Sequence, residues 1–190
     1  MLKCECDGRG FLWVQSRIIP CVCAIEDYAK KTFKKIYTPV SQWSTQVTIE
    51  TKLKHWRRSN RVFKLDNDLR IDMCPALYAL SQTREKFLVL DIMDIVNATF
   101  SKHRLYENLD HLSECAENNM YLIVTMGLAP INYKFGTNAV IGFLNNFSAK
   151  PDKYVWVLCE CEKLKQLETI YDSHLYHAVK SLQPALEDRA

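Results

Sequence analysis

Three runs of the chain are apolar almost without interruption: "FLVLD" at 87–91, "MYLIVTMGL" at 120–128 and "YVWVLC" at 154–159. A strand wetted on one face alternates apolar and polar residues. A strand covered on both faces does not. Amphipathic stretches at helical spacing lie between and after these runs. In "LYENLDHLSECAENN", Leu105, Leu109, Leu112, Cys115 and Ala116 fall on one face. "TNAVIGFLNNFSAK" reads as a helix with Thr137 as its cap, and "LETIYDSHLYHAVKSLQ" as one closing helix. Buried-type strands alternating with helices predict a mostly parallel sheet between two helical layers, a three-layer α/β domain. With 190 residues, 48% of them hydrophobic, the chain is long enough to bury its own core.

The first part of the chain has a different texture. "CECDGRGFLWVQSRIIPCVC" carries two Cys-x-Cys pairs fourteen residues apart. Between them, "FLWVQSRIIP" is strand-like. "AIEDYAKKTFKKIY" follows with Ile25, Tyr28, Ala29, Phe33 and Ile36 at helical spacing, and Thr38-Pro39 stops it. We divide the chain into a cysteine module with its basic helix, residues 1–37, and an α/β domain, residues 38–190. Within the latter, "NRVFKLDNDLRIDM" predicts a short strand and a turn near Asn67-Asp68, and a short helix is expected to begin at Pro75. Residues 40–60 carry no clear signal.

The eight cysteines are not needed as staples in a chain of this size. Met-Leu-Lys leads directly into Cys4 with no apolar segment before it, and no apolar run is long enough to span a bilayer. The expectation is a cytoplasmic protein without membrane contact, in a reducing compartment where paired cysteines bind metal more often than they form disulfides. Cys4, Cys6, Cys21 and Cys23 are the candidate ligands of one zinc ion. Gly8 and Gly10 supply the tight turns of a metal knuckle, and Pro20 stiffens the approach to the second pair. Four thiolates leave no open coordination position, so such a zinc is structural. Free buried thiols, and redox chemistry or disulfides, are the competing readings. The second Cys-Glu-Cys, at 159–161, reads as strand burial; the alternative is a further metal site with Cys74 or Cys115.

Residues 1–60 hold eleven Lys or Arg against five Asp or Glu, a net of +6; residues 61–190 hold fourteen against seventeen, a net of −3. A basic front directs attention to a nucleic acid or an acidic partner. Lys30, Lys31, Lys34 and Lys35 line one side of the first helix, where they either meet phosphates or form a solvated face. Trp56, among Arg57, Arg58 and Arg61, either stacks on a base or packs inward. Arg9 and Arg17 flank the cysteines. No Gly-x-x-x-x-Gly-Lys-Ser/Thr, Gly-x-Gly-x-x-Gly or Gly-x-Ser-x-Gly motif occurs. The histidines form no metal motif. Asp91 and Asp94 end a buried strand, a place where acids hold Mg²⁺ or simply cap a turn.

"CDGRGFLW" followed by "PCVC" and a helix resembles the N-terminal zinc module of bacterial and phage replicative helicase loaders. Residues 86–158 are similar to the later part of their ATPase core. "FLVLD" resembles the strand whose terminal acid helps hold Mg²⁺, which implies that role's position for Asp91. "YLIVTMGL" resembles the following sensor strand, which implies Thr125. The chain departs from the pattern: the phosphate loop is absent, the second acid is Ile92, and no arginine stands as a finger. The resemblance therefore implies a degenerate ATPase-like domain that binds no nucleotide.

The expected function is that of a non-catalytic, zinc-containing adaptor in DNA replication or mobile-element biology. It would bind a replicative helicase or a related assembly, with single-stranded DNA as a second ligand. The alternatives are a metal-dependent nucleic-acid-modifying enzyme with an acidic site at Asp91 and Asp94, or a phage-type inhibitor of a host protein.

Overall fold

The computed structural model describes residues 4, 6–100, 109–131 and 134–182. It opens with a hairpin of β1 (Phe11–Val14) and β2 (Arg17–Pro20) and continues with α1 (Val22–Phe33), a 3-10 turn over Lys34–Ile36, and α2 (Gln46–Trp56). Strand β3 (Arg61–Lys64), α3 (Asn67–Ser81), β4 (Phe87–Asp91), α4 (Ile92–Phe100) and α5 (Leu109–Glu117) follow. The chain then runs through β5 (Tyr121–Met126), α6 (Lys134–Ser148), β6 (Tyr154–Cys159), α7 (Gln166–Ile170) and α8 (Ser173–Ser181).

Strands β3 to β6 form one parallel sheet in the order β3-β6-β5-β4. The three apolar runs are its inner and edge strands, as their texture required. Successive residues feed opposite faces. Leu122, Val124, Val155 and Val157 join the core under α4 to α8, while Tyr121, Ile123, Trp156 and Leu158 join the core under α1 to α3. Both faces are therefore covered, which is why no polar alternation is seen. Ala29 and Phe33 of α1 belong to the second core, so the helix behind the cysteines is packed on the sheet. Among the described residues, no helix is long and apolar enough to cross a membrane.

The structure corrects several local expectations. "FLWVQSRIIP" is two antiparallel strands, turning at Gln15 and Ser16, both of which have positive φ. That two-residue loop ordinarily carries Asn-Gly, and its absence hid the hairpin. Asn67-Asp68 is the first turn of α3, not a separate turn: the Asp66 carboxylate accepts from the Leu69 N–H at 2.9 Å and caps the helix. Pro75 lies inside α3 rather than at its start. Proline brings no N–H, so the Ile71 carbonyl four residues back has no intrahelical donor from that position. The Ser44 N–H donates to it instead, at 3.1 Å. Asp72, one residue on, accepts from the Ser44 hydroxyl and from the Lys52 ammonium, so the segment before α2 and α2 itself are pinned to α3. Thr137 is a buried residue within α6, not its cap. The closing helix is two helices, because Asp172 caps the Leu175 N–H at 2.7 Å and starts α8 afresh. Leu105 and His103 lie outside the described residues.

Candidate metal centre and the charged edge of the sheet

The knuckle begins where Asp7 N–H donates to the Cys4 carbonyl and Arg9 N–H to the Cys6 carbonyl. Asp7, Gly8 and Gly10 all have positive φ, which lets the chain double back tightly. The Gly10 N–H then points at the Cys6 sulfur, 3.3 Å away. The hairpin returns the chain so that Cys21 N–H donates to the Gly10 carbonyl. Cys21 precedes α1, and Cys23 lies in its first turn. All four sulfurs consequently converge: Cys4–Cys21 is 3.0 Å, Cys6–Cys23 3.3 Å and Cys4–Cys6 3.4 Å, and the four Sγ atoms lie within 4.8 Å of one another. Ligands about 2.3 Å from a central ion, as for zinc thiolates, would sit about 3.8 Å apart at tetrahedral corners. Cys6 and Cys21 are buried; Cys4 and Cys23 are half-buried.

The four thiols are linked to one another through hydrogen bonds. Hydrogen bonding with Cys23 and with the Gly10 N–H holds Cys6 down to about 6. Hydrogen bonding with Cys4 pushes Cys21 up, and Cys4 and Cys6 push Cys23 up strongly. One thiolate suppresses its neighbours. Four thiolates in one place would require a positive charge among them, which a metal ion held by the cluster would supply. The donor set fits a metal with soft, sulfur-preferring coordination.

The chain matches no protein-family model and no curated protein.

Among the described residues no second group of three metal-type side chains converges. Cys159 and Cys161 lie in the core on one side of the sheet and Cys74 in the core on the other. The Cys74 thiol donates to the Ile36 carbonyl at 3.1 Å, and Cys115 lies near His111. The sheet itself separates Cys74 from the second Cys-Glu-Cys.

Five of the cationic residues are engaged with acids that the sequence left unconnected. Lys30 pairs with Glu26 at 3.7 Å, Lys34 with Asp94 at 3.4 Å and Lys35 with Asp91 at 2.5 Å, while Lys31 is exposed. Arg57 pairs with Glu85 at 2.8 Å, and Arg58 reaches the same carboxylate at 3.9 Å. Arg61 donates to the Ser59 hydroxyl and the His55 carbonyl. Trp56 lies edge-on to Phe63 and Trp156, with centroids 5.2 and 6.2 Å away. Arg9 Nε donates to the Cys6 carbonyl at 3.3 Å, and Arg17 is exposed on the hairpin.

Asp91 and Thr125 face each other across the ends of β4 and β5, a register pair whose side chains meet at 2.9 Å. With Asp94, Lys34 and Lys35 they line a cavity of about 280 Å³ at the carboxyl ends of the strands, the end where open α/β sheets bind ligands. Each acid is satisfied from within the chain. Asp91 accepts from Lys35, Thr125 and the Met93 N–H; Asp94 accepts from Lys34 and the Asp91 N–H. Nearby, Arg70 of α3 reaches Glu160 at 3.4 Å, beside the crevice where β3 sends the chain to one face of the sheet and β6 to the other.

Burial pushes the Asp91 carboxyl up, but the Lys35 ammonium, the Met93 N–H and the Thr125 hydroxyl outweigh it and hold the group below its usual range. A carboxyl lowered in the folded state stabilises the fold above its unfolded pKa of about 3.9, and that contribution is lost as pH falls through the folded value. Lys35 is half exposed, so solvent discounts the ion pair itself. Asp91→Asn is expected to cost about 1 kcal/mol at pH 7, chiefly through the weakened bonds to Met93 and Thr125. Urea unfolding of both proteins at pH 7 and near pH 3 checks this, with the difference shrinking at the lower pH. An undiminished difference would place the cost outside the carboxylate.

Proposed function

We propose that the chain is a non-catalytic adaptor. Its cysteine module, organised by one structural zinc ion, docks a protein partner, and its α/β domain acts as scaffold. The observation that carries this reading is the closed four-sulfur cluster. Its ligands fill a tetrahedral shell, so the ion has no position for substrate, and what it does is shape the peptide around it. Zinc is the ion that four thiolates at a tetrahedral site suit best.

The resemblance of "FLVLD" and "YLIVTMGL" to the acid-bearing and sensor strands of replicative helicase loaders is the ground for proposing kinship with them, with Asp91 and Thr125 at the corresponding positions. We read the domain as a degenerate, ATPase-like relative in the cytoplasm. Lys35 and Lys34 take the carboxylates that a Mg²⁺ ion would need, and no phosphate loop is encoded. A replicative helicase is the partner we propose, with single-stranded DNA as a secondary ligand.

Binding to a purified replicative helicase by analytical ultracentrifugation tests the reading. The wild-type chain and the Asp91→Asn variant are expected to form the complex, and the Cys4→Ser, Cys21→Ser double variant to lose it together with its metal. A complex that survives loss of the metal would overturn the docking role of the module. A complex that forms only with ATP and fails in Asp91→Asn would overturn the non-catalytic reading.

A further inference from the structure

The hairpin that joins the two cysteine pairs is apolar and uncovered. Trp13 is 69% exposed, Ile18 62% and Val22 60%, with Phe11, Val14 and Ile19 between 41 and 44%. Alternation and register sort the strand residues by face. Phe11, Trp13 and Ile18 fall on one face with Pro20; Val14 and Ile19 fall on the other, beside Arg17. Strands β1 and β2 pack chiefly on each other, and among the described residues they form a two-stranded sheet whose outer edges are unpaired. Proteins ordinarily protect such edges with charge, bulges or cover. Here the one charged side chain on the two strands is Arg17.

We propose that this hairpin is the contact surface of the module, and that it inserts into an apolar cleft of a protein partner with a carboxylate placed against Arg17. The inference rests on the adaptor reading above and names the surface and the partner's chemistry. Three observations choose this occupant. Four of the six exposed side chains are aliphatic and give a nucleic acid no stacking face, and beside the two aromatic ones, Phe11 and Trp13, Arg9 and Arg17 are too sparse to track a phosphate backbone. Apolar residues project from both faces, so a cleft covers them and a flat partner does not. The six side chains together offer on the order of 600 Å² of apolar surface, at the top of what a monomer usually leaves open. A second copy packed on the Phe11–Trp13–Ile18 face alone would bury only about 800 Å² in total, below the roughly 1,000 Å² expected of a specific interface.

The test is photo-crosslinking in cells of the native host. Full-length chains carry a benzophenone amino acid in place of Trp13 on the hairpin, Lys31 on α1, or Val47 on α2, and the metal content of each chain is measured. The expected result is a protein adduct from position 13 and none from position 47. Its crosslinked peptide should be apolar with an adjacent Asp or Glu, and its yield should fall at least about tenfold with Ile18→Asp or Arg17→Glu, both at exposed positions. An adduct from position 13 to nucleic acid, lipid or a second copy of the chain overturns the proposal. A protein adduct from position 31 but not 13 overturns the hairpin's role and leaves the adaptor reading standing. Absence of any protein adduct from both positions overturns the two together.

Discussion

The double variant Cys4→Ser, Cys21→Ser is expected to bind no metal and to lose the folded structure of residues 6–24 while the sheet stays folded. An isolated hairpin is marginal in water, and this one turns on Gln15 and Ser16 in a backbone conformation that neither residue favours. Its side chains are exposed, so burial contributes little to holding it. A metal ion held by the four cysteines would supply the difference. Structural zinc sites bind with about 10–16 kcal/mol of apparent free energy at neutral pH, enough to decide whether a marginal segment folds. The sheet does not share this dependence: its two cores contain none of the four cysteines. Metal analysis should find one ion per wild-type chain. Hydrogen exchange should show fast exchange across residues 6–24 in the variant or the chelated protein, with β5 unchanged. Full protection of those residues in metal-free protein would show that the cluster is a thiol network that folds unaided.

Trp156→Ala is expected to destabilise the whole domain by about 3–5 kcal/mol, a large share of the roughly 5–15 kcal/mol that holds a domain of this kind together. The indole lies wholly buried in β6. Its centroid is 5.0 Å from that of Tyr121, 5.9 Å from Phe63 and 6.2 Å from Trp56, so it joins β5, β3 and α2. Its Nε1–H donates to the Ser59 carbonyl at 3.1 Å. Alanine would leave a cavity among these rings and an acceptor short of its donor. Urea denaturation followed by circular dichroism measures the loss, with Trp156→Phe expected to fall between the two. A cost under about 1 kcal/mol would mean that neighbouring rings close over the space.

What was legible in the sequence divides along physical lines. The parallel strands were readable because burial on both faces removes polar residues from a run, and that signal is local. The cysteine cluster was readable because sulfurs in two short pairs can meet only where both pairs turn. The start of α3 was not: Asn and Asp favour turns and helix caps alike, and the Asp66 bond to Leu69 is what decides between them. Pro75 pointed to a helix start, since nothing in the sequence tells a tolerated interior proline from a first-turn one. The charged residues were the least legible. Lys34 meets Asp94 and Lys35 meets Asp91 across about sixty residues of chain, so a row that reads as a cationic face arrives with its counter-charges. The exposed hairpin was hidden for the opposite reason. Phe11, Trp13 and Ile18 have core-like composition, and only the fold shows that no core reaches them.

Pro75 settles a competition by excluding one contestant. Any other residue there would bring an N–H aimed at the Ile71 carbonyl, where the Ser44 N–H now binds. With proline in place that oxygen faces a single donor, and the polar segment ahead of α2 has one docking address on the helix beside it. The same ring that breaks a rule of helix composition thus reserves a seat for a loop thirty residues earlier in the chain.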